Sequence, residues 1–127
     1  MLSGSQNIFG KWKTIDDQTG EAKSIVQIYE KNGKVFGKII DILNPERKDA
    51  VCTKCEGDAK NKPIIGFELI KDLKKDGNYY ANGTIFDPEK GKAYKCRIGL
   101  KEGDPNILQV RGYVAFLYAT QYWERVE

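Results

Sequence analysis

The sequence contains no histidine and has little cysteine, proline or methionine. Among its 127 residues there are 3 cysteines, 4 prolines, 1 methionine and 0 histidines. Without an imidazole the chain has no Ser-His or Cys-His catalytic couple, no zinc site that relies on histidine and no imidazole proton shuttle near neutral pH. No other catalytic constellation replaces these groups. The composition therefore favours binding over catalysis, and we expect no catalytic residue, no cofactor and no metal ion.

Long apolar runs and charge of one sign are also missing. No segment approaches the roughly 20 apolar residues of a membrane-spanning helix, so we expect no membrane span. The 21 basic residues nearly balance the 18 acidic ones, which gives a net charge of +3. The longest cationic cluster, residues 71–75, is interrupted by Asp72. This pattern does not suit a nucleic-acid partner. With 40% apolar and 31% charged residues, the chain is typical of one globular domain.

Apolar residues recur with a period of two rather than 3.6, which predicts strands rather than helices. Turn residues divide the chain into eight such segments, residues 8–16, 24–30, 34–43, 64–73, 78–86, 92–100, 107–116 and 119–126. Short connections such as Asn32-Gly33 favour hairpins. One connection, residues 44–63, is long and is expected to form a lid, an Ω-loop or a short helical excursion.

These strands predict an all-β fold, an eight-stranded antiparallel up-and-down β-barrel with one long loop between strands 3 and 4. Glycines inside strands, among them Gly37 and Gly83, indicate the bends and bulges that a small closed barrel needs. We assign residues 8–127 to this single domain. Residues 1–7 are expected to be a disordered tail or a short remnant left where a leader was removed.

Alternation along the strands also predicts which side chains face inward. The residues that would line a ligand cavity are Trp12, Val26, Ile28, Phe67, Leu69, Tyr94, Ile98, Val110 and Val114. A barrel of eight strands has room either for its own side chains or for one small ligand, and both alternatives stay open. Cys96 falls on the inner face as a core thiol.

The third strand is apolar on both faces, so the side that carries Phe36 and Ile40 needs a cover. The long loop or a second subunit would provide it, and we expect a monomer or a weak homodimer. In the seventh strand, Arg111 and Tyr113 face outward. They form either an exposed cross-strand pair or, if a bulge turns them inward, a site for an anionic group.

Cys52 and Cys55 form a C-x-x-C unit within the long loop. The spacing has three interpretations, namely a structural disulfide, a redox-active dithiol, and half of a metal site. A redox motif would place its first cysteine at a helix N-terminus, and no helical pattern follows here. The metal interpretation lacks a second pair of ligands. A disulfide is therefore the interpretation that the local sequence favours.

Gly10-Lys11-Trp12 near the start and Arg125 near the end resemble the structural signature of lipocalins and related calycin barrels. In that fold a tryptophan of the first strand closes the base, and an arginine from the end of the barrel packs across it. A closer resemblance, to a bacterial domain-of-unknown-function family of small exported lipocalin-like proteins, covers residues 10–126. The segments that carry it are 10–17, 24–26, 33–39, 62–66, 82–94, 110–113 and 120–126, together with Gly20 and with Cys52-x-x-Cys55-x-Gly57-Asp58.

The resemblance implies a periplasmic or secreted lipocalin-like barrel and brings no established activity. From it and from the apolar inner faces we expect a small hydrophobic or amphipathic ligand in the barrel. A protein-interaction module that uses the outer apolar face is the alternative. A further alternative is a redox protein that uses the C-x-x-C unit.

Overall fold

A computed structural model describes residues 7–126 of the chain. Of the tail predicted over residues 1–7, only Asn7 lies among the described residues. Eight strands make up the fold: β1 Gly10–Ile15, β2 Ala22–Lys31, β3 Lys34–Ile42, β4 Glu68–Asp76, β5 Tyr79–Asp87, β6 Lys92–Lys101, β7 Asp104–Val114 and β8 Leu117–Val126.

Each strand pairs antiparallel with the next, and β8 pairs with β1, so the sheet closes into a barrel in simple sequential order. The predicted eight-stranded up-and-down barrel is therefore confirmed. The start of β1, the end of β8 and the β2–β3, β4–β5 and β6–β7 connections meet at one end, which we name the base. The β1–β2, β3–β4, β5–β6 and β7–β8 connections meet at the other end, which we name the mouth.

Local turn chemistry explains why neighbouring strands pair. The β2–β3 hairpin turns at Asn32 and Gly33, whose φ angles of 55° and 79° are both positive. A two-residue turn of this kind matches the right-handed twist of the strands that it joins. Asparagine and glycine are the residues that adopt this backbone most readily, so the sequence specifies the turn directly.

Bulges within the strands allow so small a sheet to close. The β5–β6 register shifts between Tyr80 and Gly83, and a Cβ atom at Gly83 would lie 2.1 Å from the carbonyl oxygen of Lys71 on β4. Glycine is required there because the backbone of the neighbouring strand occupies the space of a side chain. A second shift occurs at Gly37, between β3 and β4. The irregularity that strand glycines predict lies on the glycine's own strand at Gly83, whereas near Gly37 the extra residues lie on the partner strand β4.

The long loop is partly structured. It contains two short 3₁₀ turns, Pro45–Arg47 and Gly57–Ala59, and an antiparallel bridge between Val51 and Pro63. Cys52 and Cys55 are joined by a disulfide within it. The loop therefore forms a small excursion of its own, and its last residues pair with β3 through Ile39 and Phe67.

Several strand boundaries differ from those predicted, and two of the differences bear on the site. β4 begins at Glu68 and not at Ile64, because Ile64 to Phe67 belong to the end of the loop. The β7–β8 turn lies at Ala115 and Phe116, so that β8 begins at Leu117. The sequence Val114-Ala115-Phe116-Leu117 contains no glycine, proline or asparagine, and turn chemistry gave no signal there.

The closure of the barrel is uneven along its length. The β1–β8 ladder joins Lys11 to Val126, Trp12 to Arg125 and Lys13 to Glu124, all near the base. Within the part of the chain that the structure describes, residues 117–123 of β8 pair only with β7. The sheet is therefore continuous at the base, whereas β1 and β8 are not paired towards the mouth.

Candidate functional site: the barrel interior and its mouth

Trp12 and Arg125 close the base of the barrel. Trp12 is completely buried, and its indole N–H donates a hydrogen bond to the carbonyl oxygen of Ile8, 2.8 Å away. The guanidinium carbon of Arg125 lies 4.4 Å from the centre of a Trp12 ring. Gly10 stands beside this pair, with its Cα facing the Arg125 guanidinium. The three residues of the predicted signature therefore lie together.

The half of the interior next to the base is filled. Apolar side chains of six strands pack there with at most 3% of their surface exposed: Trp12, Val26, Ile28, Ile70, Ile98, Leu108, Val110 and Trp123. Close packing of this kind leaves no space for a ligand. Five predicted lining residues, Trp12, Val26, Ile28, Ile98 and Val110, belong to this filled half.

The half next to the mouth is different. Paired residues of β7 and β8 point to the same face, so Gly112 and Ala119 continue the inward face that Leu108 and Trp123 begin. Ala119 is nevertheless exposed, and so is Gln121, although both face the interior. The parting between β1 and β8 explains this exposure. The inner face of the mouth half is therefore open to solvent at Ala119 and Gln121, and we name this region the cup.

Polar groups accompany the apolar wall of this cup. The hydroxyls of Thr14 and Ser24 lie opposite each other on β1 and β2 and share a hydrogen bond of 2.8 Å. The side-chain oxygen of Gln121 accepts the indole N–H of Trp123 at 3.1 Å, which leaves its amide N–H donors unused in that contact. The mixture of apolar surface and hydrogen-bonding groups suits a ligand that is itself amphipathic.

Three predicted lining residues lie elsewhere. On β4 it is Ile70, paired with Ile85, that enters the barrel core. Phe67 and Leu69 instead line a cavity outside the barrel. Because successive side chains of a strand point to opposite faces, the extra residue that β4 carries between Ile70 and Leu73 exchanges the two sets. Val114 lies at the lip of the mouth and is 55% exposed, whereas Tyr94 is half-buried on the inner face.

The outer cavity lies between the disulfide loop and the sheet. Its volume is about 310 Å³, and its walls combine Cys55, Glu56 and Ala59 of the loop with Phe67, Leu69 and Phe86. Both half-cystines are buried, Cys52 at 1% and Cys55 at 5% exposure. Thiol–disulfide exchange needs an accessible sulfur, so this burial supports a structural disulfide over a redox-active one.

Cys96 is a free thiol on the inner face, where it pairs with Gly83 on one side and Gly112 on the other. Burial raises the pKa of the Cys96 thiol to about 12. The thiolate is the reactive form, so this side chain is inert near neutral pH and acts as a small apolar core residue.

The doubly apolar third strand is covered by neighbouring side chains. The ring of Phe36 is buried, stacks on Tyr29 at 5.9 Å and carries the Lys31 ammonium 4.7 Å above its centre. The Tyr29 hydroxyl donates a hydrogen bond to Glu68. Burial, followed by that hydrogen bond and the charge of Glu68, raises the pKa of Tyr29 to about 12. Phe36 is therefore not available as an exposed interaction surface.

Sequence reasoning missed the residues that shape the cup, namely Gly112, Ala119 and Gln121. A signal was present, since all three are small or polar and occupy positions where alternation calls for large apolar side chains. Within residues 7–126, no group of acidic and cysteine side chains is placed to hold a metal ion. No helix of that region is long and apolar enough to cross a membrane.

Comparisons with known proteins agree with this architecture. A family model described as "Uncharacterized protein conserved in bacteria (DUF2147)" matches residues 10–125. A solved structure, protein HP1028 from the human pathogen Helicobacter pylori, superposes with a TM-score of 0.78 and is 20% identical over 93% of this chain and 82% of its own. That protein is described as belonging to the lipocalin family. No match was found among curated proteins. The predicted resemblance and the lipocalin-like fold are confirmed.

Proposed function

Because the chain belongs to the bacterial DUF2147 family and folds as a lipocalin-like barrel, we propose that it binds a small hydrophobic or amphipathic molecule in the mouth half of the barrel. The observation that carries this proposal is the exposure of inward-facing residues. Ala119 and Gln121 face the interior and yet are open to solvent. A barrel that served only as a scaffold would gain stability by filling these positions with large apolar side chains.

The geometry also limits the size of the ligand. The depth of the cup is the distance along β7 from Val110, where the filled half ends, to Val114 at the mouth. This distance is four residues, or roughly 14 Å. This depth suits a short acyl chain or a single ring system and is too shallow for a fully extended long-chain lipid. The apolar part would rest on Val110 and Tyr94, and the polar part would reach the hydroxyls of Thr14 and Ser24 or the amide of Gln121.

A periplasmic or secreted location fits this role. The Cys52–Cys55 disulfide is of the kind that persists in oxidising compartments. A carrier of poorly soluble molecules is useful where such molecules must cross an aqueous space. The protein would act as a monomer for this purpose, because the cup is built from one chain.

Titration with saturated fatty acids of increasing chain length tests the proposal. Trp123 lies next to the cup through its bond to Gln121, and its fluorescence should report binding. Affinity should rise with chain length while the tail fits and then level off. Gly112→Leu is the informative variant, because a Cβ atom there would make ordinary van der Waals contact with Tyr94 at 3.8 Å and with Ile85 at 3.9 Å, so the inward-facing position accepts a side chain without a clash at Cβ.

We expect Gly112→Leu to reduce the affinity at least tenfold, which corresponds to about 1.4 kcal/mol. Lys74→Leu on the exposed side of β4 is the matched control and should bind like the wild type. Absence of binding for every chain length, or equal binding by both variants, would argue against a ligand in the cup.

A further inference from the structure

The turn between β7 and β8 is apolar and exposed, which is unusual for a hairpin turn. We name its residues, Val114 to Leu117, the hairpin tip. The side chain of Phe116 is 90% exposed and that of Leu117 is 64% exposed. Ala115 holds a φ of 53°, a left-handed backbone that costs a residue with a Cβ atom some strain. Glycine or asparagine would satisfy this turn better, so the fold gains nothing from these four side chains.

Directly behind the tip lies an outward-facing patch that we name the basic wall, made of Lys95, Arg97 and Arg111. Arg97 and Arg111 are direct cross-strand partners on β6 and β7, a pairing of like charges that costs stability. Within residues 7–126 none of the three takes part in an ion pair. The Arg97 Nε atom is buried without a hydrogen-bond partner in that same part of the chain.

Two tyrosines separate the tip from the wall. Tyr113 and Tyr118 are paired across β7 and β8, with ring centres 5.9 Å apart. The Arg111 guanidinium lies 4.2 Å from the centre of the Tyr118 ring, so it leans towards the tip. A shallow cavity of about 270 Å³ connects the two regions, with Ala115 at one side and Lys95 and Arg97 at the other.

We propose that this hairpin docks the mouth of the barrel onto an anionic phospholipid membrane. The order of groups along the hairpin matches a section through a membrane surface. Apolar tip residues would reach the acyl boundary, tyrosines would lie at the interface where aromatic residues concentrate, and the basic wall would meet the phosphates. Tyr113 and Tyr118 stand two to three residues from the turn, roughly 8 Å along the strand, which suits the depth of an interfacial contact.

The charge pattern favours a membrane over a second copy of the chain as the occupant. A twofold contact through this hairpin would bring two basic walls towards each other, with no acidic side chain among their outward neighbours to compensate. An anionic surface instead supplies the missing counter-charge to all three cations. The inference does not require a ligand in the cup, although docking of the mouth would bring that cup to the source of lipophilic molecules.

Co-sedimentation with lipid vesicles tests the proposal. The wild type should bind vesicles of phosphatidylcholine that contain about one third phosphatidylglycerol, bind pure phosphatidylcholine weakly, and lose affinity as salt increases. Phe116→Ser should weaken binding roughly 30-fold through the loss of one buried aromatic side chain. Arg97→Gln combined with Arg111→Gln should lose about 5-fold per cation, or about 30-fold in all, on the anionic vesicles alone.

The matched control is Lys31→Gln combined with Lys38→Gln. These lysines also lie over aromatic rings, those of Phe36 and Tyr29, but on the β2–β3 wall. The control removes the same charge and should bind within about threefold of the wild type, because screening weakens charges remote from the surface. Thermal unfolding of each variant shows whether the barrel is intact.

Phe116→Trp gives a direct view of insertion. Its fluorescence should shift to shorter wavelength on anionic vesicles and be quenched by brominated acyl chains. No vesicle binding, or equal binding to neutral and anionic vesicles, would overturn the proposal. So would a concentration-dependent dimer that Phe116→Ser abolishes, because a second copy would then cover the tip. Fatty-acid binding by the cup is measured separately, so failure of one proposal leaves the other standing.

Discussion

Trp12 and Arg125 are direct partners in the β1–β8 ladder, and the guanidinium carbon of Arg125 lies over the indole, 4.4 Å from the centre of a ring. The same guanidinium donates hydrogen bonds to the carbonyl oxygens of Pro105 at 3.0 Å and Phe9 at 3.2 Å. One side chain therefore joins β8, the β6–β7 turn region and the segment before β1. Since the β1–β8 ladder is only three residue pairs long, this contact replaces hydrogen bonds that a longer ladder would supply.

Arg125→Gln should lower the free energy of unfolding by about 2–4 kcal/mol, because it removes charged hydrogen bonds and a cation–π contact in a part-buried position. Arg125→Lys should recover little of the loss, since an ammonium lacks the planar fork that reaches two carbonyls. Urea unfolding measures both. Arg47→Gln, at an exposed 3₁₀ turn, is the control. An Arg125→Gln midpoint equal to that of the wild type would show that the base closes without this arginine.

The order of strands was predictable because local chemistry specifies it. Asn32-Gly33 sets the β2–β3 turn, and period-two alternation gives the inner face of β2, β6 and β7. The packing of Trp12 against Arg125 followed from a resemblance, and the residues alone would have left Trp12 as any buried aromatic.

The face of β4 and the position of the β7–β8 turn were not predictable in the same way. A bulge within β4, where the segment from Ile70 to Leu73 opposes only Val35 to Gly37, shifts the β3–β4 register, and Asp72 adopts a positive φ there. The sequence offers no glycine at this point of β4 to indicate the bulge. Ile70 thus takes the inward-facing position that alternation assigns to Leu69, although both side chains are buried. The β7–β8 turn contains only apolar residues, so strand propensity predicts that β7 continues through Phe116.

The open cup was beyond sequence reasoning for a different reason. Exposure of Ala119 depends on where the β1–β8 ladder ends, which is a property of two strands at opposite ends of the chain. Alternation correctly places Gly112 on the inward face, but it cannot tell a filled interior from an open one. Only the combination of facing direction and exposure identifies the site.

Two glycines on inner faces of the barrel should respond in opposite ways to the same substitution. In Gly83→Ala the new Cβ atom would lie 2.1 Å from the Lys71 carbonyl oxygen, so the backbone of two strands must separate. We expect a loss of about 3 kcal/mol or more, or failure to fold. In Gly112→Ala the nearest atom would be 3.8 Å away, and the variant should be neutral or stabilised by about 0.5 kcal/mol.

Thermal and urea unfolding of the two alanine variants provide the comparison, each as a single substitution in the wild-type chain. Equal destabilisation of both would mean that the mouth half is as tightly packed as the wall near Gly83. That result would also remove the open space on which ligand binding in the cup depends.

The hydrogen bond between Tyr29 and Glu68 makes stability depend on pH in the alkaline range. The pKa of Tyr29 is raised from 10.0 to about 12 in the folded protein, first by burial and then by Glu68. A group whose pKa is raised on folding contributes stability that is fully present below its unfolded value and is lost as the pH passes through its folded value. The contribution of Tyr29 should therefore be complete below about pH 10 and disappear towards pH 12.

Tyr29→Phe should cost about 1 kcal/mol near neutral pH by removing the hydrogen bond. The difference in unfolding free energy between wild type and Tyr29→Phe should then shrink as the pH rises above 10. Comparison of the two proteins at each pH cancels the titration of the other tyrosines and lysines. Tyr122→Phe, which removes a phenol 48% exposed on the outer face of β8, is the matched control and should cost less than Tyr29→Phe near neutral pH. A constant difference between wild type and Tyr29→Phe across this range would mean that the phenol and Glu68 do not interact in solution.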